Sequence, residues 1–558
     1  MFFREGSVLR KQVFLLAAGV LLYTLAFPPA DLGFLGFAAI VPFVLARHGA
    51  TGWKTMTAFW LAAVSVFMIG CFWLSEPALI NLVAMALPAG LYFVLFAFFY
   101  RANTARGLLP VWLAVPLAWI SAEYIRTGFP LDGFPWLLLG YSAWRIPPLL
   151  QTADLFGVWG PGFLMALCSG VIADVVLQRR GVVAHRQGWR GVRFGVCLFL
   201  VLGVAALGYG LLRPASIELK KGPVLAAVQG NIPQRLKDNR NSRDDVIRIY
   251  RETTENFLQS WRGPAPDLVV WPETVFLFPV SDGRKGEIWV PAENVGDREA
   301  RDLEQRKLID PIIRGVVGAR GSWFLVGALS YRLGGEGVVE KRNSVFLYDP
   351  EGTRCSSYSK TILVPGGEYL PWIDHLPFGD EIREFIISLA GYPPDLVPGD
   401  GPGLHTLRSG GREYLFGVQI CYENIYGEYC SRFVRKGAQF MVNISNEGWF
   451  NESVEFDQMM AMSLFRAVET RRTLFRSTNT GISCVIDPLG TLPGKGEKVT
   501  WKGKDRAVCG VLAHEVPLCE TTTVYTLWGD AFPRVICLLQ ILLIIAALFR
   551  GRGVTKRV

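Results

Sequence analysis

Long apolar runs are the feature that most restricts the folds open to this chain of 558 residues. Seven runs follow one another between Lys11 and Arg213, and an eighth lies near the C-terminus. Their approximate bounds are 12–28, 31–46, 56–75, 78–100, 108–125, 157–178, 193–213 and 535–549. Crossing the hydrocarbon core of a bilayer as a helix takes about 20 mainly apolar residues. We therefore expect a multi-pass α-helical membrane domain.

The composition agrees with a membrane protein and argues against several other classes. Hydrophobic residues make up 51% of the chain and the mean hydropathy is +0.29. Charged residues reach only 19%, against roughly 25% in soluble domains. The net charge of +9 is better explained by Lys and Arg in cytoplasmic loops than by nucleic-acid binding. The ten cysteines include no CxxC pair, so we predict neither a zinc site nor a dense disulfide scaffold.

Positive charges between the runs are concentrated in every second gap, and the remaining gaps carry few charges. The positive charges precede the first run and follow the second, fourth, sixth and eighth runs. The residues are Arg4, Arg10, Lys11, Arg47, Lys54, Arg101, Arg106, Arg179, Arg180, Arg186, Arg190, Arg193, Arg550, Arg552, Lys556 and Arg557. Because Lys and Arg concentrate in cytoplasmic loops, this pattern predicts that both termini are cytoplasmic and that residues 214–532 lie on the outer side.

Residues 214–532 differ from the rest of the chain because their apolar runs are short. The runs are 224–228, 268–271, 323–329, 345–348, 361–364, 414–420, 440–444, 474–477, 483–486 and 507–512. Segments 244–261 and 453–472 instead place apolar residues at helical spacing. Strands that alternate with helices predict an α/β domain. The expected domains are a membrane domain over 1–213, this α/β domain, and a C-terminal helix with a basic tail over 533–558.

Three chemically suited residues each adjoin one of these short runs. Glu273 follows the second run, Lys360 precedes the fifth, and Cys421 ends the sixth. A cysteine attacks as its thiolate, a carboxylate can take the thiol proton, and an ammonium can stabilise both the thiolate and a tetrahedral oxyanion. The backbone N–H of Tyr422 offers a second oxyanion donor. This combination predicts nucleophilic catalysis by Cys421 with Glu273 as general base.

Each of these residues also has a purely structural interpretation. Cys421 can be a small buried hydrophobe, Glu273 can cap a turn, and Lys360 can be a solvated charge. The sequence contains no HExxH zinc signature, no P-loop and no GxGxxG fingerprint, and none of its five histidines lies in a comparable motif. The catalytic interpretation therefore depends on the three residues together, and it requires no metal and no cofactor.

The motifs around these residues resemble the nitrilase superfamily of carbon–nitrogen hydrolases, whose triad is Glu, Lys and Cys in this order. The matching triad motifs are Trp271-Pro272-Glu273-Thr274, Tyr358-Ser359-Lys360 and Cys421-Tyr422-Glu423. Further matching segments are 228–234, 444–450, 466–469 and 476–481. The apolar runs, which soluble nitrilases lack, extend the resemblance to the apolipoprotein N-acyltransferase family of the bacterial inner membrane. The resemblance then covers nearly the whole chain.

This resemblance implies a fold and a reaction. The outer domain is expected to be a nitrilase-like, four-layer αββα sandwich on the periplasmic side. The implied reaction transfers a fatty acyl chain from a phospholipid to the α-amino group of the N-terminal S-diacylglyceryl-cysteine of an apolipoprotein, through a thioester on Cys421. It is the last step of bacterial lipoprotein maturation. The implied partners are the phospholipid donor, the apolipoprotein acceptor and membrane lipids, without nucleic acid.

The resemblance also assigns roles to residues beside the triad. Glu368, Tyr422 and Glu423 are expected to support catalysis, and Trp449 and Phe450 to bind substrate as part of the cleft wall. Three positions depart from the family pattern. Gly366 stands where Phe is common, Glu447-Gly448 where Asp-Ala is frequent, and Leu236-Lys237-Asp238 lacks an aromatic residue. These differences concern the cleft walls and hence the acyl-chain preference.

Other interpretations of the whole chain are open at this point. A membrane-tethered amidase has the same triad but releases its acyl group to water, and a soluble amide substrate needs no membrane spans. A scaffold with a relic domain has no need of an intact triad. A transporter usually places ionisable residues in the middle of its spans rather than at their ends. Segment 378–390 adds a separate hypothesis, because its apolar residues share one helical face: it is either a mobile arm that gates lipid entry or a packed surface helix.

Overall fold

A computed structural model gives the fold of the chain. It describes residues 2–49, 52–130, 133–182, 188–238, 242–281, 313, 315, 321–333, 339–371, 373–375, 377–390, 394–492, 499–500 and 504–552. The chain divides into two compact units. The first unit comprises Met1–Ser216, Asp457–Phe465 and Thr523–Val558, and the second comprises Ile217–Phe456 and Arg466–Thr522.

Helices occur along the whole of the described chain. In chain order the α-helices are α1 (Phe2–Leu25), α2 (Val41–Arg47), α3 (Trp53–Gly70), α4 (Leu79–Thr104), α5 (Val111–Arg126), α6 (Pro147–Gln151), α7 (Ala153–Phe156), α8 (Trp159–Arg179), α9 (Gly188–Leu212), α10 (Gln234–Asp238), α11 (Arg243–Ser260), α12 (Gly379–Ala390), α13 (Gly427–Arg435), α14 (Glu455–Thr470), α15 (Val524–Trp528) and α16 (Ala531–Arg552). The two amphipathic helices predicted at 244–261 and 453–472 are confirmed as α11 and α14.

Within the described part of the chain, five helical segments are long and apolar enough to cross a membrane. They are Trp53–Gly70, Leu79–Thr104, Trp159–Arg179, Gly188–Ser216 and Ala531–Phe549. In the last two, protein buries only 11% and 17% of the most apolar stretch. Their large apolar side chains therefore face outward, which is unfavourable in water and suited to contact with lipid.

The predicted run 31–46 is not one continuous helix. It is divided between a 3-10 helix, Gly33–Phe37, and the seven-residue helix α2. At 1.5 Å per residue α2 is about 10 Å long, roughly a third of the hydrocarbon core of a bilayer. The 3-10 helix begins where the backbone packs closely against residue 142. A Cβ on Gly33 would lie 2.1 Å from the backbone oxygen of Ser142.

The core of the first unit combines aromatic rings with a few paired polar groups. Phe93 packs edge-on against Trp119 with ring centroids 5.1 Å apart, and both side chains are buried. Asn103 of α4 and Gln540 of α16 exchange two amide hydrogen bonds of 2.8 and 2.9 Å. Polar side chains in an apolar environment need such partners, and this pair joins the last helix of the chain to the bundle.

The second unit is built on two β-sheets. Its strands are β1 (Lys220–Gln229), β2 (Leu268–Ser281), β3 (Trp323–Leu333), β4 (Val339–Tyr348), β5 (Arg354–Ser359), β6 (Leu404–Ser409), β7 (Arg412–Ile420), β8 (Phe440–Ser445), β9 (Leu474–Thr478), β10 (Cys484–Ile486) and β11 (Gly510–Leu518). One sheet has the strand order β11-β1-β2-β3-β4-β5, and the other has the order β10-β9-β8-β7-β6. The pairs β1–β2, β2–β3, β7–β8 and β8–β9 are parallel, and the remaining pairs are antiparallel.

Alternating side chains place each sheet between a helical layer and the other sheet. In β2, Val269 and Trp271 join a buried cluster with Tyr250 of α11. On the opposite side, the hydroxyl of Ser477 in β9 donates to the Val270 carbonyl at 3.1 Å. In the second sheet, Gly417 of β7 lies against a ring of α13, because a Cβ there would meet Phe433 at 2.6 Å. The predicted four-layer αββα fold is confirmed.

The strand predicted at 361–364 is wrong. The strand in this region is β5, which ends before Lys360, and the chain turns afterwards. The backbone N–H groups of Thr361 and Val364 donate to the carboxylates of Glu423 and Glu368 instead of to a neighbouring strand. An apolar run predicts burial, and here the carboxylates supply the backbone partners that a sheet supplies elsewhere.

Two further differences concern the edges of the sheets. The run 507–512 predicts a strand that begins too early, because β11 extends over Gly510–Leu518. No apolar run predicts β6, because four of its six side chains are polar, and within the described residues it pairs with β7 alone. Helix α12 confirms a helix in segment 378–390: Phe378 and Phe385 are 75% and 62% exposed. The gating role of this segment stays a prediction.

Candidate active site

The second unit brings the predicted triad together from three different strands. Glu273 lies in β2, Lys360 follows β5, and Cys421 follows β7. The pairing of β2 with β3 shifts in register between Trp271 and Phe276, so Glu273 lies on an irregular part of the strand. Such irregularities re-aim side chains beside functional sites.

Cys421 occupies a strained turn at the end of β7. Its φ of +51° lies in the left-handed region, which a residue other than glycine adopts at a cost of about 1–3 kcal/mol. The turn continues as a 3-10 helix over Cys421–Ile425. Cys421 is partly exposed, whereas the residues on either side of it are buried. A strained strand end of this kind holds the sulfur in a fixed position on a rigid scaffold.

The Lys360 ammonium is buried between two carboxylates. Its Nζ donates to Glu368 Oε1 at 2.9 Å and lies 3.8 Å from Glu273 Oε1. Only 1% of the Lys360 side chain is exposed, so water contributes little to its solvation. A buried charge needs paired counter-charges, and the two glutamates meet that need. Glu368 is fixed in turn by the Val364 N–H, which donates to Oε2 at 2.8 Å.

Both carboxylate oxygens of Glu273 accept hydrogen bonds from neutral donors. Asn343 Nδ2 donates to Oε1 at 2.6 Å, and the backbone N–H of Asn446 donates to Oε2 at 2.8 Å. The backbone oxygen of Glu273 accepts from the buried Lys237 Nζ at 3.1 Å. The contacts from Asn343 and Asn446 fix the direction of the carboxylate, which a general base requires before it can take a proton.

Charges and burial set the protonation state of the site. Burial raises the pKa of the Cys421 thiol, the negative charge of Glu273 raises it further, and the positive charge of Lys360 opposes both. The net direction is upward, so the resting sulfur carries a proton. Burial lowers the pKa of Lys360, but the charges of Glu368, Cys421 and Glu273 outweigh that effect and the net direction is again upward. The site therefore holds a neutral thiol beside a permanent ammonium.

Glu423 connects the strand end that carries Cys421 to the turn that carries Lys360. Its Oε2 accepts from the Ile420 N–H at 2.8 Å. Its Oε1 accepts from the Thr361 N–H and from the Tyr358 hydroxyl, each at 2.6 Å. Burial raises the pKa of Glu423 to about 7, while these hydrogen bonds act in the opposite direction. We call Glu423 with these donors the carboxylate clamp.

The other residues predicted for the site lie close to the triad in the chain. Tyr422 is buried and packs edge-on against Tyr426 with ring centroids 5.4 Å apart. Trp449 and Phe450 end a 3-10 helix, Glu447–Phe450, which begins directly after Asn446, and both are half-buried. Their role in binding substrate stays a prediction.

Sequence reasoning missed two residues that contact Glu273. Asn446 belongs to a segment that matched the nitrilase pattern, but no role followed from that match. Asn343 lies in β4 within Arg342-Asn343-Ser344, a run of polar residues that are all buried. Polar residues directly before the apolar run 345–348 were the signal that could have identified it.

Two family models match the chain. The model described as the apolipoprotein N-acyltransferase N-terminal domain matches residues 18–171, and the carbon-nitrogen hydrolase model matches residues 225–501. The second range contains Glu273, Lys360 and Cys421. A solved amidase of the nitrilase superfamily from Nesterenkonia aligns at 18% identity and a TM-score of 0.32, over 54% of this chain and 93% of its own.

Curated relatives align over nearly the whole chain. The apolipoprotein N-acyltransferase of Geobacter metallireducens is 30% identical over 559 residues, which cover 98% of this chain and 96% of its own length. Proteins of the same name from Chlorobaculum tepidum and Pseudomonas syringae pv. tomato are 26% and 28% identical, and cover 95% and 94% of both chains. Together with the five apolar helices, these relatives indicate a protein of the inner membrane. On this evidence the chain belongs to the apolipoprotein N-acyltransferase family, within the nitrilase superfamily.

Proposed function

We propose that the chain transfers a fatty acyl group from a membrane phospholipid to the N-terminal α-amino group of an S-diacylglyceryl apolipoprotein. The observation that carries the proposal is the buried Lys360 ammonium, which is held by Glu273 and Glu368 and whose charge acts on Cys421. This arrangement supplies a nucleophile, a base and an oxyanion partner to one acyl group.

The first half-reaction forms a thioester on Cys421. Glu273 takes the thiol proton as the sulfur attacks the ester carbonyl carbon of the phospholipid. The raised pKa of Cys421 makes this base necessary, because little thiolate is present at neutral pH without it. Lys360 and the backbone N–H of Tyr422 stabilise the tetrahedral oxyanion. The ester C–O bond then breaks, Glu273 returns the proton to the leaving oxygen, and a lysophospholipid departs.

The second half-reaction transfers the acyl group to nitrogen. The neutral α-amine attacks the thioester carbon, and Glu273 accepts a proton from the nitrogen. The C–S bond breaks, the proton passes to the Cys421 sulfur, and an amide is released. Glu273 thus begins and ends each half-reaction unprotonated, so the same carboxylate serves both.

The same proposal assigns an orientation to the enzyme. Both substrates carry lipid chains in the outer leaflet of the inner membrane, so the second unit belongs on the periplasmic side. The alternation of basic gaps in the sequence supports this orientation and leaves both termini in the cytoplasm. Glu368 and the carboxylate clamp act by positioning Lys360 and Cys421, and Trp449 and Phe450 contact the lipid substrates.

The test is intact-mass spectrometry of the purified enzyme after incubation with phospholipid. We expect a fatty-acyl mass on the wild type that hydroxylamine removes, and no such adduct on Cys421→Ser. A diacylglyceryl-cysteine peptide should then discharge the adduct and gain the acyl group on its amine. Discharge to water with no acylated peptide would instead identify a hydrolase. A folded wild-type enzyme with no adduct at all would refute the thioester mechanism.

A further inference from the structure

Asn343 connects the two carboxylates that surround Lys360. It lies in β4, and its side chain is 3% exposed. Its Nδ2 donates to Glu273 Oε1 at 2.6 Å and lies 3.3 Å from Glu368 Oε1. Its backbone oxygen accepts from the Lys360 N–H at 2.8 Å. One residue therefore contacts the two glutamates through its side chain and the lysine through its backbone.

The charges of the site explain why a neutral donor is useful at this point. Two carboxylates share one ammonium, so they repel each other across Lys360. An amide N–H attracts both carboxylates without adding a second positive charge. A cation in its place would stabilise ionised Glu273 so strongly that the carboxylate would lose its ability to accept the thiol proton.

The acceptor atom of the same amide shows that packing does not explain why an asparagine occupies this position. Asn343 Oδ1 is buried and has no hydrogen-bond partner among the residues that the structure describes. Such an atom lowers stability, and an apolar residue of similar volume avoids the loss. Buried polar atoms without a hydrogen-bond partner are expected mainly at functional sites. The side-chain orientation is also set by the site, since turning Oδ1 toward Glu273 would bring two negative oxygens together.

We propose that Asn343 is a positioning residue that holds Glu273 in the direction from which it takes the Cys421 proton. It does so by bridging Glu273 to Glu368 beside Lys360. The inference rests on the proposed function, because it assigns Glu273 the role of general base. It predicts that the loss of Asn343 slows the acylation step and leaves the apparent affinity for phospholipid nearly unchanged.

The experiment measures single-turnover acylation of Cys421 by phospholipid in detergent micelles, for four enzymes across pH 6 to 8. The variants are Asn343→Leu, Asn343→Asp and the control Ser344→Ala. Ser344 is buried on the same strand, but its hydroxyl pairs with those of Ser330 and Ser359 at 2.6 and 2.8 Å. We expect Ser344→Ala to follow the wild type. Asn343→Leu should be slower by roughly 10- to 100-fold at every pH, with KM changed less than twofold.

The Asn343→Asp variant distinguishes a positioning role from a structural one. A purely structural role would not make its acylation rate, relative to the wild type, depend on pH. As a carboxylate the new side chain repels Glu273, and as a neutral acid it can donate to Glu273 as the amide does. The rate relative to the wild type should therefore rise as the pH falls, about tenfold between pH 8 and 6. A pH-independent ratio for Asn343→Asp, or an Asn343→Leu rate within twofold of Ser344→Ala, would overturn the proposal.

The remaining outcomes are also decisive. If both Asn343 variants fail to fold while Ser344→Ala folds, Asn343 is a structural residue and the positioning role is wrong. If the wild type forms no adduct under these conditions, the proposed thioester mechanism fails instead. The two failures are distinguishable because the second appears in the wild type and the first only in the variants.

Discussion

Glu423 is the residue through which we expect burial and hydrogen bonding to influence the chemistry without a direct part in it. The carboxylate clamp joins the residue before Cys421 to the residue after Lys360. The clamp is strongest in the ionised form, because its N–H and O–H donors bind a carboxylate more strongly than a neutral acid. The positive charge of Lys360 lowers the pKa of this carboxyl, and the carboxylate in turn raises the pKa of the Tyr358 and Tyr429 hydroxyls, which therefore stay neutral. We therefore predict that protonation of this buried carboxyl weakens the connection between the strand end that carries Cys421 and the turn that carries Lys360.

The clamp predicts a pH dependence for acylation of Cys421. Since burial raises the pKa of Glu423 to about 7, the carboxyl gains a proton as the pH falls through neutrality, and the rate should fall with it. Glu423→Gln should be slower by about 10- to 100-fold, from roughly 1.5–3 kcal/mol per hydrogen bond to a charged group, and should lose this dependence. Single-turnover rates between pH 5.5 and 8.5 provide the check.

The control for this prediction is Glu413→Gln, because Glu413 is a largely exposed carboxylate of β7, the strand that ends at Cys421. Its profile should match that of the wild type. A Glu423→Gln profile that falls in parallel with the wild type on the acid side would show that another group titrates there and that the clamp does not.

The sequence reveals the triad more readily than its surroundings for a physical reason. Glu273, Lys360 and Cys421 each lie in a short motif beside an apolar run, so local pattern is enough to single them out. Asn343 and Asn446 contact Glu273 from 70 and 173 residues away along the chain. Their importance arises from strand pairing and sheet packing, which no local pattern contains.

At the scale of elements, a reciprocal amide pair ties helix α16 to helix α4. Asn103 and Gln540 are almost completely buried and each donates one hydrogen bond to the other. Both helices could be predicted from their apolar runs, but their pairing could not, because the two residues are 437 positions apart. The error at 361–364 has partly the same origin, since the Thr361 N–H donates to Glu423, 62 positions away, instead of to a partner strand.

This pair predicts a non-additive effect on stability. Asn103→Leu or Gln540→Leu alone removes both hydrogen bonds of the pair, leaves a buried amide without its partner on the other helix, and should lower stability by about 1–2 kcal/mol. The double variant removes both polar groups and should recover most of that loss. Thermal midpoints in detergent, measured for all four members of the cycle, provide the test.

Ser65→Ala is the control for removing a polar group from a spanning helix. The Ser65 hydroxyl donates at 2.9 Å to Leu61 O in its own helix, so it does not link two helices. This variant should shift the midpoint little. Equal losses that simply add in the double variant would mean that Asn103 and Gln540 do not stabilise the bundle through each other.

At the scale of the whole molecule, the apolar runs show which part of the chain lies in the membrane, and the positions of the charged residues indicate its orientation. The apolar runs identify the membrane part, but they do not count its crossings, because run 31–46 contains a broken segment and five described helices meet the length and hydropathy needed to span. The fold of the second unit follows from its short alternating runs. Its side of the membrane depends on Lys and Arg at the ends of the runs, which packing within the protein does not fix.

Cysteine labelling tests the orientation. Cys355 and Cys509 are exposed residues of the second unit, so a membrane-impermeant maleimide should modify both in spheroplasts and in right-side-out vesicles. Inside-out vesicles should protect them until detergent is added. Cys197 is also exposed but lies in the apolar helix α9, so lipid should shield it in either preparation.

The extent of labelling at each site is read by peptide mass spectrometry, with Cys355→Ser/Cys509→Ser as the control that should remove the signal. A membrane-impermeant reagent reaches only the compartment to which it is added, so the two vesicle orientations give opposite results. Modification of Cys355 and Cys509 only in inside-out vesicles would place the triad in the cytoplasm. Phospholipids of the outer leaflet and lipoprotein N-termini on the periplasmic face would then be out of reach, and the proposed substrates would be wrong even if a thioester forms on Cys421.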